Sequence, residues 1–451
     1  MSGLTHTLDI ARRALMAQQS VISVLGHNVA NANTEGYTRQ VAHLETVAPS
    51  AWGTNTFGNG VTMSEVQRKR DQSLDSELRR DMSSLGRWQM RSRRLSSLEV
   101  ILNEPSDSGL GATMDAFWAS WIDLASDPAD VTRRANTREQ SEIMANRFNA
   151  LTRQVEQIGV DIDAEVRTRT DQFNLALSEL KETNSLIQKS VLQGLEPNDL
   201  LDRRDQILDQ MAELVGITYG TRDDGTAFVK AGSVLILDQT TYRPLEAVTR
   251  PDETGAESVR IEVKTIGEID IDNGILGGLL EMRTETIPDF IERVDALASG
   301  IIDQVNALHR TGPSQVDFFS GTGAADMSLS SDISESLALL NTSTTGLAGD
   351  NDIALAIGGV RNQQIMNNGS STPNEYWINL VGQVGIVNRE AGFQEEGLEL
   401  TTQALQEHRD SISGVSLDEE MGNIVIAQQS YMAAVKLFEI SGNMMDALLA
   451  I

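Results

Sequence analysis

Histidines and carboxylates come first, because they are the side chains that hold metals or move protons. The five histidines are His6, His27, His43, His309 and His408. None has a second histidine at helical or hairpin spacing, so no zinc signature forms. Asp270, Asp272 and Glu281 fall at positions 1, 3 and 12 of a calcium loop, yet Ile275 occupies the sixth position, where the sharp turn needs glycine. Gly321-Thr322-Gly323 lacks the third glycine and the parallel-strand context of a nucleotide loop. Serine, histidine and aspartate are present without nucleophile-elbow spacing. With 65 carboxylates in the chain, chance pairs are certain. The run Arg87, Arg91, Arg93 and Arg94 reads as a solvated helix face able to pair with acids on a neighbour. There is no cysteine, which removes thiol catalysis, a disulfide scaffold and most structural zinc sites. It suits a chain exported unfolded, although chance absence gives the same count. These residues predict no catalytic group, no cofactor, no metal and no enzyme.

The elements must therefore be doing something other than chemistry. The chain has 451 residues, 36 basic and 65 acidic side chains and a formal charge of −29. That balance excludes nucleic acid, which needs a basic face to displace counterions, and anionic membrane surfaces. No run of 18 apolar residues exists, so no membrane insertion is expected. Leu4 to Val29 is amphipathic and interrupted by Asp9, Arg12, Arg13 and His27, unlike a cleaved leader. Any export is expected to use another route. The length suggests two to four domains.

The strongest pattern sits at the two ends. Leu4, Leu8, Ala11, Leu15, Gln18, Ile22, Leu25 and Val29 step by alternating fours and threes. So do Leu417, Met421, Ile424, Gln428, Tyr431, Val435, Phe438, Gly442, Met445 and Leu449. Such a stripe is a coiled-coil seam, and each helix would be roughly 40–50 Å long at 1.5 Å per residue. The simplest arrangement pairs the ends with each other and leaves the middle as an excursion. Spacing alone leaves two destinations open: packing among copies, or closure of a monomeric bundle. Gln18 and Gln428 either face each other or stand in water, and Gly442 marks a close contact or nothing. Residues 1–50 hold three acids and three bases, whereas residues 196–295 hold 22 acids and 10 bases. The neutral end suits packing and the acidic middle suits a solvated exterior.

After the first helix the chain reads Asn28-Val29-Ala30-Asn31-Ala32-Asn33-Thr34-Glu35-Gly36-Tyr37-Thr38-Arg39-Gln40. Asn33 and Gly36 tolerate left-handed backbone and stop the helix. This string, behind Ser2-Gly3-Leu4 and a long amphipathic helix, resembles the signature of the bacterial flagellar axial proteins of rod, hook and hook–filament junction. The residues carrying it are Asn28, Asn31, Asn33, Thr34, Gly36 and Tyr37. Ser413 to Met421, Gln428 to Lys436 and Met444 to Leu449 are similar to the closing helix of the junction members. The departures are Ser416 in place of asparagine, and Leu437 and Phe438 where the resemblance implies an alanine-rich stretch. Asn103 to Leu110, Asp199 to Leu208 and Asp317 to Ala324 agree with the same branch.

The resemblance implies a secreted structural adaptor at the hook–filament junction of the flagellum. It implies helical self-assembly through Leu4, Leu8, Ala11, Leu15, Ile22, Leu25, Val29, Leu417, Met421, Ile424, Tyr431, Val435, Phe438, Met445 and Leu449. The implied partners are copies of itself, the hook protein, a second junction protein and an export chaperone covering the C-terminal helix. Two other readings are a flagellum-associated wall-active enzyme and a flagellin-like filament protein.

The expected fold is mainly α. Paired terminal coiled-coil helices occupy 1–40 and 411–451, and an extended connector with hairpin character occupies 41–66. A long-helix bundle is expected from 67–215, 276–312 and 373–410. A small β-containing or irregular outer region is expected from 216–275 and 313–372. Within it, Asp223-Asp224-Gly225 is a hairpin turn, and Val259, Ile261 and Val263 alternate with charge as a half-buried strand.

Overall fold

The computed structural model describes residues 2–52, 55–251 and 257–449. In chain order the helices are α1 Ser2–Asn31, α2 Gln72–Leu102, α3 Leu110–Ser126, α4 Val131–Leu192, α5 Asn198–Leu214, α6 Gly274–Glu281, α7 Ile287–His309, α8 Ser331–Glu335, α9 Asp352–Gly359, α10 Pro373–Ser413 and α11 Leu417–Leu449. The strands are β1 Gln40–Thr46, β2 Ser50–Trp52, β3 Asn55–Phe57, β4 Val61–Arg68, β5 Ile217–Thr221, β6 Ala227–Ala231, β7 Val234–Leu237, β8 Leu245–Pro251, β9 Glu257–Val263, β10 Gly267–Glu268, β11 Phe319–Ser320 and β12 Ser328–Leu329. The mainly α expectation holds. The chain divides into two compact units: Met1–Ser83, Phe173–Pro244 and Leu398–Ile451 form the first, and Ser84–Gln172 and Leu245–Gly397 form the second.

In the first unit α1 packs along α11 and against β1 and β4. The connector is an antiparallel hairpin in which Gln40 faces Arg68 and Thr46 faces Val61, with a bulge at His43/Leu44. Its Gly60, at φ +83°, lies against Ile10 of α1; a Cβ there would stand 3.4 Å from the isoleucine side chain. The Asp223-Asp224-Gly225 turn closes the β5–β6 hairpin as its sequence demands. Gly225 takes φ +77°, and Asp224 Oδ1 accepts from the Thr226 hydroxyl at 2.6 Å.

The second unit holds an aromatic cluster. Phe117, Trp118 and Trp121 of α3 are buried with Phe318 and Phe319. Trp121 and Phe318 meet edge-on at 5.1 Å between centroids, and Phe117 and Phe319 at 5.7 Å. Asn306 of α7 accepts from the backbone N–H groups of Phe318 and Phe319 at 2.9 and 2.8 Å. The stretch 313–372 is irregular in backbone, as its Ser, Thr, Gly and Asn content suggests. It nevertheless supplies core residues Phe318, Phe319, Ile333, Ile353 and Ile357. Asparagine side chains satisfy the backbone groups that no ladder pairs.

The β content at 216–275 forms two three-stranded sheets. β5–β6–β7 belongs to the first unit and β8–β9–β10 to the second, and the chain passes from one unit to the other at Pro244/Leu245. The helical stretch expected from 276–312 is interrupted by a π-helical segment, Met282–Thr286. Pro288 follows in the first turn of α7. Its ring excludes the carbonyl four residues back, which opens the ladder there.

Phe318→Ala is expected to destabilise the second unit by about 3–5 kcal/mol, whereas Phe393→Ala should cost under about 0.5 kcal/mol, because Phe393 is 72% exposed. Urea unfolding followed by tryptophan fluorescence separates the two.

Candidate functional site

The two ends of the chain form one seam. Asn28, near the end of α1, donates to Glu420, at the start of α11, across 392 residues of sequence at 2.9 Å. Because the two helices also pack along each other, they run antiparallel. On α1 the expected stripe is inward: Ala11 and Leu25 are buried, and Leu4, Leu8, Leu15, Ile22 and Val29 are half-buried. On α11 the placement differs. Ile424, Tyr431, Val435 and Met445 are half-buried, but Leu417, Met421 and Phe438 are 47%, 53% and 43% exposed. The Leu449 side chain lies outside the described residues. The buried row is Glu420, Ala427, Ala434 and Ser441, at seven-residue steps. Small side chains let two helices approach closely, and a search for large apolar residues passes over them. Gln428 is exposed and off the seam. A Cβ on Gly442 would meet nothing within 4 Å, so no close contact requires that glycine.

The turn after α1 explains its own string of residues. Asn28 is fully buried, and its amide uses every bond it can make. Its Nδ2 donates to the Gln40 carbonyl at 2.8 Å and to Glu420. Its Oδ1 accepts from the Tyr37 hydroxyl at 2.8 Å and from Gln40 N–H at 3.0 Å. Burial, then the carboxylates of Asp199, Asp202 and Glu420, push the Tyr37 phenol well above its ordinary value. Asn31 donates to the His27 carbonyl at 3.0 Å, and Thr34 donates to Asn31 at 3.3 Å. Gly36 turns the chain at φ +73°, and Asn33 is exposed. Arg39 places Nη2 2.7 Å from Glu420 and Nη1 3.0 Å from Glu419. Its N–H donates to the Ser413 carbonyl at 2.8 Å.

One side of α5 anchors this turn to the rest of the first unit. Asp199 accepts from Gln40 Nε2 at 3.1 Å and Asp202 from Thr38 N–H at 3.1 Å. Arg68 spans Asp202 and Asp205 at 2.7 and 2.9 Å. Arg204 pairs with Asp205 at 2.8 Å, and Arg70 is 3.3 Å from the same carboxylate. Arg79 and Arg409 pair with Asp209 at 2.6 and 2.8 Å, and Arg79 lies 4.5 Å above the Tyr219 ring. Burial opposes the charge on Asp205, but Arg204, Arg70, Arg68 and Arg79 hold its carboxyl at about 2. The signal for this face was aspartate at 199, 202, 205 and 209 of one short helix, a helical spacing of acids.

The remaining candidates resolve into structure. Glu281 of the calcium-like loop is taken by Arg87 and Arg91 at 2.8 and 2.7 Å, and Arg94 pairs with Glu165. The arginine run is thus largely a set of ion pairs. Asp272, then burial, raise Asp270 above the usual carboxylate range. The Thr322 and Gly323 N–H groups are filled by Asp326 at 2.8 and 2.9 Å. His309 is buried; burial lowers its pKa, and its ring joins the Val316 carbonyl and Asn341 N–H. Among the described residues no group of three or more His, Asp or Glu is placed to hold a metal. None of the described helices is long and apolar enough to cross a membrane.

The comparisons with known proteins agree with this geometry. The family model of the flagellar hook-associated protein FlgK helical domain matches residues 95–324. Models of the flagella basal body rod protein and of the flagellar basal body rod FlgEFG protein C-terminal region match residues 8–38 and 406–451, the two joined ends. Flagellar hook-associated protein 1 of Bacillus subtilis (strain 168) is 30% identical, over 97% of this chain and 96% of that protein. The chain belongs to the flagellar hook-associated protein 1 family. The Salmonella typhimurium member is 24% identical over 99% of this chain and 100% of its own. The flagellar hook junction protein FlgK from Burkholderia pseudomallei shares the fold, with a TM-score of 0.67 at 13% identity over 75% of this chain and 100% of its own.

Asp205 carries a pH prediction. Its folded value lies below the unfolded one, so its contribution is present above about pH 4 and is lost as the pH falls toward 2. Acid unfolding of the parent should lose about 2–3 kcal/mol in that window through this group. Asp205→Asn should flatten that slope and cost roughly 3–5 kcal/mol at neutral pH, because the arginines lose their counter-charge.

Proposed function

We propose that this chain is a structural piece of the flagellar hook–filament junction and that it assembles through its joined ends. Family membership carries the first half of that reading; the outward face of α11 supports the second. Leu417, Met421, Val425, Met432, Met444 and Leu448 are 47%, 53%, 48%, 69%, 55% and 49% exposed. A solvated helix does not ordinarily present such a row. Burial against neighbouring copies stabilises it at about 25 cal/mol per Å² of apolar surface. Repeated head-to-tail contacts between identical copies build a helical layer rather than a closed pair.

In this reading the half-buried residues Leu4, Leu8, Leu15, Ile22, Val29, Ile424, Tyr431, Val435 and Met445, with buried Ala11 and Leu25, close the seam within one copy. The exposed residues Leu417, Met421 and Phe438 are left for the next copy. Besides copies of itself, the chain engages the hook protein on one side and a second junction protein on the other. Before assembly an export chaperone covers α11, whose exposed row would otherwise aggregate. The chain works without catalysis, cofactor or metal.

Deleting residues 414–451 is expected to leave a soluble chain that no longer supports filament attachment, seen by electron microscopy as bare hooks. Met421→Glu with Met432→Glu should keep the monomer's helical content and thermal midpoint while abolishing attachment. Normal filaments from either variant would contradict the reading.

A further inference from the structure

The seam poses a question of choice. α11 carries two rows that would pack on α1. The observed row is Glu420, Ile424, Ala427, Tyr431 and Ala434. One residue further round, about 100° on a helix, runs Met421, Val425, Gln428, Met432 and Val435. The second row has no charge and at least as much aliphatic bulk, yet of its members only Val435 is half-buried and the other four are exposed. Apolar burial alone does not explain that preference.

We propose that Glu420, acting with Asn28 and Arg39, chooses which face of α11 turns inward and thereby keeps the Met421–Met432 face free. Glu420 is 0% exposed, whereas the other acids of α11 (Asp418, Glu419, Glu439 and Asp446) are exposed. Oε2 accepts from Asn28 Nδ2 at 2.9 Å, and Oε1 stands 2.7 Å from Arg39 Nη2 as an ion pair without hydrogen-bond geometry. Both partners are fixed in place. Asn28 is saturated by Tyr37 and Gln40. Arg39 is tied through its N–H to Ser413 and through its carbonyl to the Lys69 N–H at 2.9 Å. Rotating α11 by one residue would set Met421 against this socket. Asn28 Nδ2 would then keep its bond to the Gln40 carbonyl but lose the acceptor for its second N–H, and the Arg39 guanidinium would lose its buried counter-charge, an unfavourable state. A single buried polar group that selects one packing over a near-equal alternative is its best-attested use. Glu420, Asn28 and Arg39 are thus positioning residues; the face they keep free is the one assigned above to neighbouring copies, so their bearing on assembly rests on the junction reading.

The absence of cysteine allows a direct test on the full-length chain at dilute, monomeric concentration. Single cysteines are placed at Ala427, which is 4% exposed, and at Met432, which is 69% exposed, and maleimide labelling rates are read. With Glu420 intact, A427C should be protected and M432C reactive. In Glu420→Leu the socket is unpartnered with either face inward, so the preference is lost: A427C should gain and M432C lose reactivity, each by roughly threefold or more, as both rows are sampled. Glu420→Gln keeps an acceptor for Asn28 and should retain the parent pattern. Arg39→Met, which strands the carboxylate while the observed face is inward, should exchange the two rates, each moving by roughly tenfold or more, and serves if Glu420→Leu does not fold. An unchanged pattern in Glu420→Leu and Arg39→Met overturns the proposal. Both positions reacting as fast as M432C does in the parent also overturns it, since α11 would then be released and not turned. Exchange of the labels with normal filament attachment leaves the choice of face standing and removes the junction reading of the freed face.

Discussion

A carboxylate with no exposure must have its counter-charge beside it, and Glu420 finds that charge at the other end of the chain. Asn28, Tyr37, Arg39 and Gln40 form a closed polar socket behind α1, and α11 enters it with one acid. The seam beyond the socket is small and modestly apolar. The socket therefore gives the two ends a defined meeting point that a stripe of alanines and half-buried side chains would leave loose. The turn string after α1 and the acidic opening of α11 are two parts of one device.

The same rule, that buried charge is met by fixed charge, recurs in the body of the first unit. Arg68, Arg70, Arg79, Arg204 and Arg409 converge on Asp75, Asp202, Asp205 and Asp209. In a chain of net charge −29, many arginines are spent on internal pairs, and the acids left over face water. Such a network contributes less to stability than its number of pairs suggests, because each ion loses its hydration. It does fix geometry: α5 holds the turn, the turn holds α11, and each link is directional.

The helices were legible because periodicity and stop signals act locally. The asparagine-rich turn ends α1 at Asn31, where its residues place the stop. The hairpin at Asp223-Asp224-Gly225 followed from backbone angles that only a few residues accept. What stayed hidden depends on partners distant in sequence. Nothing near Glu420 says that it is buried, and nothing in Ala427, Ala434 or Ser441 marks a seam. The stripe through Leu417, Met421 and Phe438 is the larger apolar pattern, yet within one chain α11 turns the smaller Glu420–Ser441 row toward α1. The split of residues 216–275 into two sheets was hidden for a similar reason: local strand signals do not say which core a strand joins. Phe318 and Phe319 lay in a stretch whose composition suggested irregular structure, and their burial depends on Asn306 of the preceding helix and on Trp121 far along the chain.

The account holds that the ends of each copy are already joined, and that neighbours meet on the remaining face of α11. A density map of the assembled hook–filament junction tests this most directly. The account predicts α1 and α11 of one chain paired antiparallel through Asn28 and Glu420, with Met421 and Met432 buried against an adjacent copy. A map in which α11 separates from its own α1, or in which Met421 and Met432 face solvent while copies touch elsewhere, would contradict it.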